Sequence, residues 1–579
     1  MRRTFALLLA LLLTVGLLAG CNGSNEETNP SSEPSSTDPT TVPSFVPIDP
    51  DDQEFDEIEL PLTEDEHTFT YWQQNGYSFE DFSTYDDNLF YQWMEEQTGV
   101  DIEWIHPPAG SETENFQTMV LSADYPDFIQ GIKGYYTGGV DKAINDGVLR
   151  RLNELVDQYM PHYRSYVYGS EETFIQAVSD SGNLWGVHHI VDYPQTPWIG
   201  LTVRQDWLDK LGLTTADMET LDQFESVLTS FKEFTYENQG PLWVENSSTY
   251  AGDCINGTFG FGGYSSRFMN KDGVAAYSGI QPGVEEYAAV MADWYAKGLI
   301  NKNYIAENSW STPEQYWVNS QIGVGEMMYT QDKMYAASAA ISELNPDPNF
   351  AISPLAGVKK NASDDWSDIK LRNSQDKIRP GNSMGITTGC TDDEIELACR
   401  FWDYAWTDEG ITAANWGPYE GPEGDTNTTY FVDENDSNGD GHKECYQAWQ
   451  IAKYGNVSQT QAKVAVYNGP VYCIWSREWC ALDSDQMKMP GVWGQPSNEW
   501  KLPEGVTLTS DEGNSASSIV ANCNTVVNEW LAAVITGVKS ADTFQAEVVA
   551  QCESLGIHEA EGYYQAALDR YFARANYMD

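Results

Sequence analysis

The stretch Gly200–Leu213, GLTVRQDWLDKLGL, decides the fold of this chain. Its first part, Leu201–Val203, is an apolar and β-branched run that predicts a short strand. A helix is predicted over Trp207–Leu211, with Asp206 as its N-cap and Gly212 as its stop. The stretch therefore predicts a strand that runs directly into a helix, as in an α/β fold.

The segment just before this stretch, Pro194–Trp198 (PQTPW), has two prolines in five residues. Proline lacks a backbone N–H and holds the preceding residue in an extended conformation, so the segment does not fit the interior of a helix or sheet. We interpret it as a crossing between two lobes.

The stretch also carries a motif with fixed spacing, formed by Gly200, Leu201, Arg204, Asp206, Trp207, Leu208, Lys210, Leu211, Gly212 and Leu213. It resembles the extracellular solute-binding lipoproteins of carbohydrate ABC importers, family 1, in their long Gram-positive branch. The resemblance implies a two-lobed periplasmic-binding-protein-like fold of type II, with a discontinuous hinge. It also implies that the chain traps a ligand and catalyses no reaction.

Further matches to this family recur from about residue 68 to residue 571. They include the helix predicted over Asn88–Gly99, the strand motif Tyr125–Ile129 and the C-terminal helix predicted over Val520–Ile535. The loop after the strand motif, Lys133–Gly139, is a candidate ligand-binding loop, because ligand loops follow the carboxyl ends of strands in α/β sheets. With crossings near residues 195, 354 and 415, lobe 1 is expected at 66–195 plus 355–415 and lobe 2 at 196–354 plus 416–579.

The N-terminus predicts a lipid anchor. Arg2 and Arg3 precede an apolar run, and Cys21 directly follows a small-residue cleavage site, so residues 1–21 resemble a lipoprotein signal peptide. Residues 22–61 are rich in Ser, Thr, Pro and acidic residues and are predicted to be a disordered tether. We expect the protein at the extracellular face of the cell membrane, held there by the lipid on Cys21 alone. The alternative is a plain secretory signal.

The net charge argues against one class of partner. The 31 basic and 88 acidic residues give a net charge of −57, which argues against binding of nucleic acid or anionic lipid.

The eight cysteines other than Cys21 form no CxxC motif, so buried thiols are the simpler interpretation. A Cys390–Cys399 or a Cys473–Cys480 bridge stays open.

An enzyme is the rival class of protein. Gly381–Gly385 fits the pattern GxSxG, but a nucleophile elbow needs a strand before the serine and a helix after it, and the local sequence favours neither. Paired carboxylates could serve glycoside hydrolysis, yet 88 acidic residues make chance pairs common. A structural or adhesive protein would favour repeats, and none is found.

The high aromatic content points to a sugar ligand. Twenty tryptophans and 33 tyrosines offer rings on which the apolar faces of sugars can stack. The candidate ligand-binding residues lie near glycine, proline or polar loops and are Trp72, Tyr135, Tyr136, Trp198, Trp310, Trp416 and Trp475, with Arg204 as a charged partner. Arg204 could instead hold a core carboxylate. A peptide or another ligand remains the alternative.

One acidic loop resembles a calcium loop of the EF-hand type. Oxygen ligands are expected at its positions one, three, five, seven and nine, and these fall on Asp436, Asn438, Asp440, His442 and Glu444. Position twelve is Gln447, so the usual bidentate glutamate is missing. We expect weak calcium binding or a simple acidic turn, and no required cofactor.

The resemblance to the solute-binding family implies ABC permease subunits as partners, and we expect the protein to be a monomer.

Overall fold

The structure is a computed structural model that describes residues 55, 58–76, 82–191, 197–244, 253–261, 268–306, 312–329, 331–370, 376–421, 428–433, 444–446, 462–466, 468–474 and 488–577. Thirteen strands lie in these ranges: β1 His67–Trp72, β2 Val100–Ile105, β3 Phe128–Gln130, β4 Ile190–Val191, β5 Ile199–Arg204, β6 Phe268–Lys271, β7 Val274–Tyr277, β8 Val324–Met328, β9 Ile352–Pro354, β10 Met384–Ile386, β11 Phe431–Asp433, β12 Glu444–Tyr446 and β13 Tyr472–Cys473.

The described α-helices lie between and after these strands. The first ten are α1 Leu89–Thr98, α2 Glu112–Ser122, α3 Ile132–Tyr135, α4 Gly139–Asn145, α5 Asn153–Tyr159, α6 Pro161–Val167, α7 Glu171–Ala177, α8 Gln205–Leu211, α9 Leu221–Phe231 and α10 Asp253–Asn256. The others are α11 Gly283–Ala296, α12 Glu314–Val318, α13 Asp332–Ala340, α14 Ile395–Tyr404, α15 Asp408–Trp416, α16 Lys488–Trp493, α17 Ser510–Ile535, α18 Ala550–Ser554 and α19 Ile557–Ala573. Among the described residues, no helix is long and apolar enough to cross a membrane.

The first lobe is built on a four-stranded sheet with the order β10-β3-β1-β2. β1 pairs in parallel with β2 and β3, and β10 pairs antiparallel with β3. Phe69 and Phe128 of this sheet lie in one buried core with Trp402 of α14. Because β1 and β3 run in parallel, the residues that follow them meet at one edge of the sheet.

The second lobe is built on the antiparallel sheet β8-β5-β9, with β5 in the middle. Every residue of β5 is buried. Gly200 is required at its position, because a Cβ there would lie 2.5 Å from the ring of Trp493. The Trp493 indole also donates a hydrogen bond to the carbonyl oxygen of Leu201, at 2.9 Å.

The predicted strand and helix of the opening stretch are both present, as β5 and α8. Gly212 ends α8 in the left-handed conformation, with φ of 69°. The prediction that Asp206 caps this helix is wrong. Arg204 occupies the N-cap position without a side-chain cap, and the Asp206 carboxylate accepts hydrogen bonds from the Arg204 guanidinium instead.

The core contacts differ from the expected division between the lobes. Leu355 and Val358 pack in the core of the second lobe. Ala462, Val466 and Val471 pack in the core of the first lobe. The expected divisions at residues 354 and 415 therefore need correction, because the chain stays in each lobe longer than its local sequence indicated.

Three segments lie side by side where the lobes join. The Ile190 N–H donates to the Val471 carbonyl oxygen at 3.1 Å, and the Val191 N–H donates to the Lys377 carbonyl oxygen at 2.9 Å. β4 thus lies between β13 and the segment 377–379. We call these three segments the hinge strands. We infer that the three crossings lie just beyond residues 191 and 473 and just before residue 377.

The C-terminal helix α19 contacts both lobes. Near its start, Glu561 accepts a hydrogen bond from the Tyr277 N–H of β7 at 2.9 Å. Near its end, Arg570 binds Asp180, which follows α7 in the first lobe, at 3.1 Å. Just beyond the helix, Arg574 binds the same carboxylate at 2.6 Å. α19 is therefore a second connection between the lobes, apart from the hinge strands.

Candidate functional site

Aromatic side chains gather where β1 and β3 of the first lobe end. The Tyr135 ring stacks on Phe116 with centroids 5.6 Å apart and meets Trp72 edge to face at 5.2 Å. Trp72 is buried and its indole donates to Asn115 at 2.8 Å, whereas Tyr135 and Tyr136 are half-buried. The structure thus brings three of the predicted residues together, with Trp72 beneath the more exposed tyrosines.

The hydroxyl of Tyr136 is already engaged. It donates to Asp146 at 2.5 Å, and Lys142 binds the same carboxylate oxygen. Burial raises the pKa of Tyr136, and the hydrogen bond to Asp146 raises it further. The tyrosine therefore stays protonated and offers only its ring to a ligand. In Tyr135, burial raises the pKa as well.

A group of amide side chains lies at the same edge of the sheet. Gln130 accepts a hydrogen bond from the Tyr71 hydroxyl at 3.0 Å and donates to the Asn468 carbonyl oxygen at 2.9 Å. Gln73 donates to the same carbonyl, and Asn382 donates to the Asn468 side chain at 3.1 Å. Sequence reasoning missed this group. The only feature of the sequence that could have indicated this group is the position of Gln73 and Gln130 at the ends of β1 and β3.

Trp198 lies in the second lobe, directly before β5. It is half-buried and packs against a small cluster of Tyr329, Met489 and Trp493. The Tyr329 N–H donates to the Trp198 carbonyl oxygen at 3.3 Å. The cluster contains residues from three distant parts of the chain, which is why Tyr329 and Trp493 were not among the predicted residues.

Arg204 lies in the interior of the second lobe. It has no exposed surface, and its guanidinium binds Asp206, Asp347 and the Ser320 hydroxyl. It also lies over the rings of Trp207 and Phe350, at 4.8 and 4.5 Å from their centroids. The geometry supports the alternative that Arg204 holds core carboxylates. Arg204 therefore has no surface to offer a ligand.

The other predicted residues are either buried or not described. Trp416, at the end of α15, is 8% exposed and thus has little surface to offer a ligand. Trp310, Trp475 and the loop residues Asp436, Asn438, Asp440 and His442 lie outside the described residues, and only the backbone of Glu444 is described. In the part of the chain that the structure describes, no group of three or more His, Cys, Asp and Glu residues could hold a metal ion.

The serine of the GxSxG pattern does contact a histidine. Ser383 Oγ lies 3.1 Å from His188 Nδ1, and it donates to the Arg379 carbonyl oxygen at 3.0 Å. However, both side chains are fully buried, and His188 Nε2 contacts the Ala177 carbonyl oxygen at 2.9 Å rather than a carboxylate. Burial lowers the pKa of His188 to about 3. A backbone carbonyl cannot stabilise an imidazolium as a triad carboxylate does, so the pair does not form a catalytic triad.

A cavity of about 430 Å³ lies between the lobes, beside the end of α19. Lys133 and Asp180 line it from the first lobe, and Thr507, Arg570 and Arg574 line it from the C-terminal segment. Lys133 Nζ donates to the carbonyl oxygens of Glu504 and Gly505, both at 3.2 Å. Burial lowers the pKa of Lys133 to about 8, and the nearby Arg574 charge lowers it further. These groups are already paired with one another and join the lobes.

Comparison with known proteins identifies the architecture. The model of the family described as bacterial extracellular solute-binding protein matches residues 77–411. No curated protein matches the chain. Solved structures that match over nearly their whole length include the alginate-binding protein AlgQ2 without calcium ion, at 19% identity and a TM-score of 0.64, covering 88% of this chain and 100% of that one.

Two other structures show the same fold. An HMO-binding solute-binding protein associated with an ABC transporter of Bifidobacterium longum infantis has 13% identity and a TM-score of 0.66, covering 87% of this chain and 99% of that one. The S. pneumoniae ABC-transporter substrate-binding protein FusA in complex with kestose has 17% identity and a TM-score of 0.62, covering 88% of this chain and 100% of that one. These likenesses confirm the predicted two-lobed type II fold.

Proposed function

Since the chain belongs to the bacterial extracellular solute-binding protein family, which matches more than half of its residues, we propose that it captures an oligosaccharide between its two lobes and delivers it to an ABC permease. Among the fold neighbours, AlgQ2 is an alginate-binding protein, the Bifidobacterium protein is HMO-binding and FusA was solved in complex with kestose. Members of this family and the structural neighbours are binding proteins rather than enzymes.

The observation that carries the proposal is the pairing of aromatic rings with amides at one edge of the first lobe's sheet. Half-buried Tyr135 stacks on Phe116, and half-buried Gln130 stands at the end of β3. Gln73 is buried and supports Gln130 through their shared partner, the Asn468 carbonyl oxygen. A sugar ring presents apolar C–H faces to an aromatic ring, and its hydroxyls exchange hydrogen bonds with amides. A site of this composition fits a neutral saccharide.

The hinge strands support a trapping mechanism. A ligand that contacts both lobes stabilises the closed state, because only that state offers it both surfaces. We propose Tyr135 and Tyr136 as the first-lobe contacts and Trp198 as the second-lobe contact, with Trp72 supporting the tyrosines from below. Trp310 and Trp475 remain proposals from the sequence alone.

Two alternatives make different predictions. A peptide-binding protein would use free backbone donors and acceptors along a sheet edge, and a surface glycoside hydrolase would hold two carboxylates across a cleft. Neither arrangement accounts for the aromatic and amide groups at the ends of β1 and β3.

We expect the mature protein to bind one class of oligosaccharide on a glycan array, with a change in tryptophan fluorescence and without cleavage. Trp198→Ala should weaken binding at least about tenfold, because the sugar loses an aromatic face. Titration calorimetry with the glycan selected on the array measures the effect.

Trp500→Ala is the matched control, because Trp500 is a half-buried tryptophan of the second lobe that contacts Asp272 and Lys271, away from the Trp198 cluster. It should bind as the parent does. If the parent, Trp198→Ala and Trp500→Ala bind with equal affinity, Trp198 does not contact the glycan. Turnover of the glycan that is lost on replacing a carboxylate would contradict the proposed function itself.

We further propose that residues 1–21 are a lipoprotein signal and that the lipid on Cys21 anchors the protein. Cys21→Ser should move the protein from the membrane fraction to the medium, since this one side chain carries the lipid. Fractionation followed by immunoblotting measures the distribution. If the variant stays with the membrane as the parent does, another element holds it there.

Calcium binding by the loop with Asp436, Asn438, Asp440, His442 and Glu444 stays a proposal from its sequence pattern. An ion that binds only the folded protein raises its melting temperature. We expect calcium to raise the melting temperature of the parent relative to chelator, and Asp440→Ala to abolish that shift. An unchanged melting temperature in the parent would identify the loop as an acidic turn.

A further inference from the structure

The C-terminal helices of the second lobe form an antiparallel hairpin. Trp530 of α17 packs over Phe544 with ring centroids 5.2 Å apart, and its indole donates to the Thr543 hydroxyl at 2.9 Å. Farther from the turn, the same face of α17 carries Cys523, about two helical turns before Trp530. In an antiparallel hairpin, the residue opposite Cys523 lies about two turns after Phe544, which is the position of Cys552 in α18.

The two cysteines meet inside this hairpin. Both have no exposed surface, and neither takes part in a disulfide in the structure. The Cys523 thiol donates to the Cys552 carbonyl oxygen at 3.8 Å, which brings the two residues into contact. The aliphatic core surrounds them, with Val527 and Val548 as neighbours in the same cluster. Contact between two cysteine residues is the first requirement for a disulfide.

We propose that Cys523 and Cys552 are joined by a disulfide in the exported protein. The proposal rests on the extracellular location included in the proposed function, because disulfides persist in oxidising compartments. An organic disulfide RS–SR is the oxidant. The Cys523 thiolate attacks it and releases one RS⁻, and the Cys552 thiolate then attacks the mixed disulfide and releases the second RS⁻. The protons of both thiols end on the two RSH products.

The bond would form while the hairpin assembles, since the folded core leaves neither sulfur accessible to an oxidant. It would tie α17 to the segment that leads into α19. Because α19 carries Arg570, and Arg574 follows it directly, the disulfide would also fix the position of the two arginines that bind Asp180.

Peptide mapping of the full-length protein isolated from the producing cells tests the bond directly. Free thiols are alkylated under denaturing, non-reducing conditions before tryptic digestion. Cleavage after Lys501, Lys539 and Arg570 releases peptides 502–539 and 540–570, and each contains a single cysteine. We expect a linked pair with the mass of both peptides less two hydrogen atoms, which separates on reduction. If both peptides of the parent are found alkylated and unlinked, the proposal is wrong.

Cys523→Ser is the control variant. In it, peptide 540–570 must appear alkylated at Cys552. We expect reduction to lower the melting temperature of the parent by about 3 °C and to leave that of the variant unchanged, because the bridge closes a loop of roughly thirty residues. An equal change in both proteins would mean that reduction acts elsewhere. The mapping result does not depend on sugar binding, so its failure is distinct from failure of the proposed function.

Discussion

Replacing Arg204 with methionine is expected to destabilise the second lobe by about 3–5 kcal/mol, since it leaves buried carboxylates without their cation. Arg204 has no exposed surface, and Asp206 is 7% exposed. Asp347 binds the same guanidinium from a part of the chain 143 residues away. Methionine fills much of the volume of arginine but supplies no charge or hydrogen bond. The free energy of unfolding in urea measures the loss.

Lys210→Met is the matched control for this change. Lys210 also binds Asp206, at 3.3 Å, but its side chain is 46% exposed. Solvent screens such a pair, so we expect a loss below about 1 kcal/mol. If Arg204→Met costs no more than Lys210→Met, the buried network does not contribute as we describe.

The Arg204 network also predicts a dependence on pH. Burial raises the pKa of Asp347, but the charge and the hydrogen bond of Arg204 outweigh burial and leave the pKa below its ordinary value. A carboxylate with a lowered pKa in the folded state contributes stability above its unfolded pKa and loses it as the pH falls through the folded value. Unfolding curves of the parent should therefore show a larger loss of stability at acid pH than those of Arg204→Met.

Replacing Asp180 with alanine is expected to have the second large effect, because this one carboxylate binds both arginines at the end of the second lobe. Arg574 is 3% exposed and would lose its only carboxylate partner among the described residues. A buried cation without its partner costs about 3–5 kcal/mol. With the contact between α19 and the first lobe weakened, the lobes should also separate farther. Thermal unfolding and the radius of gyration from X-ray scattering measure the two effects.

Asp157→Ala gives the comparison for Asp180→Ala. Asp157 lies in the same lobe and binds Arg164 at 2.6 Å, with both side chains more than a third exposed. The Asp157→Ala substitution removes the same charge but leaves the contact between the lobes intact. A melting temperature and a radius of gyration equal to those of Asp180→Ala would show that α19 does not hold the lobes together.

Local sequence patterns predicted the local parts of this fold. The strand and helix of the opening stretch are present as β5 and α8, and Thr220 forms a capping box at the start of α9 with Gln223, three residues later. The role of Asp206 was predicted wrongly because an aspartate before a helix fits a cap. Its actual partner, Arg204, is oriented by Asp347 and Phe350, which no local pattern connects to it.

The limits of the two lobes depend on contacts between distant residues. β4 pairs with residues about 190 and 280 positions later in the chain, and hydrophobic periodicity carries no information about such pairings. The candidate site shows the same limit. Tyr135 and Trp72 were identified from their type and position, whereas Gln73 and Gln130 are common residues that only their shared partner, Asn468, brings together.

The hinge strands have a consequence for how the protein folds. β4 cannot complete its pairing until residues 377 and 471 have been made, and the core of the second lobe needs Ile557 and Ala560. Neither lobe can therefore finish folding before nearly the whole chain has been synthesised. Contacts at such sequence separation slow folding, because long loops must close before the contacts form. We expect refolding in two phases, with local helix formation first and the joining of the hinge strands as the slow step.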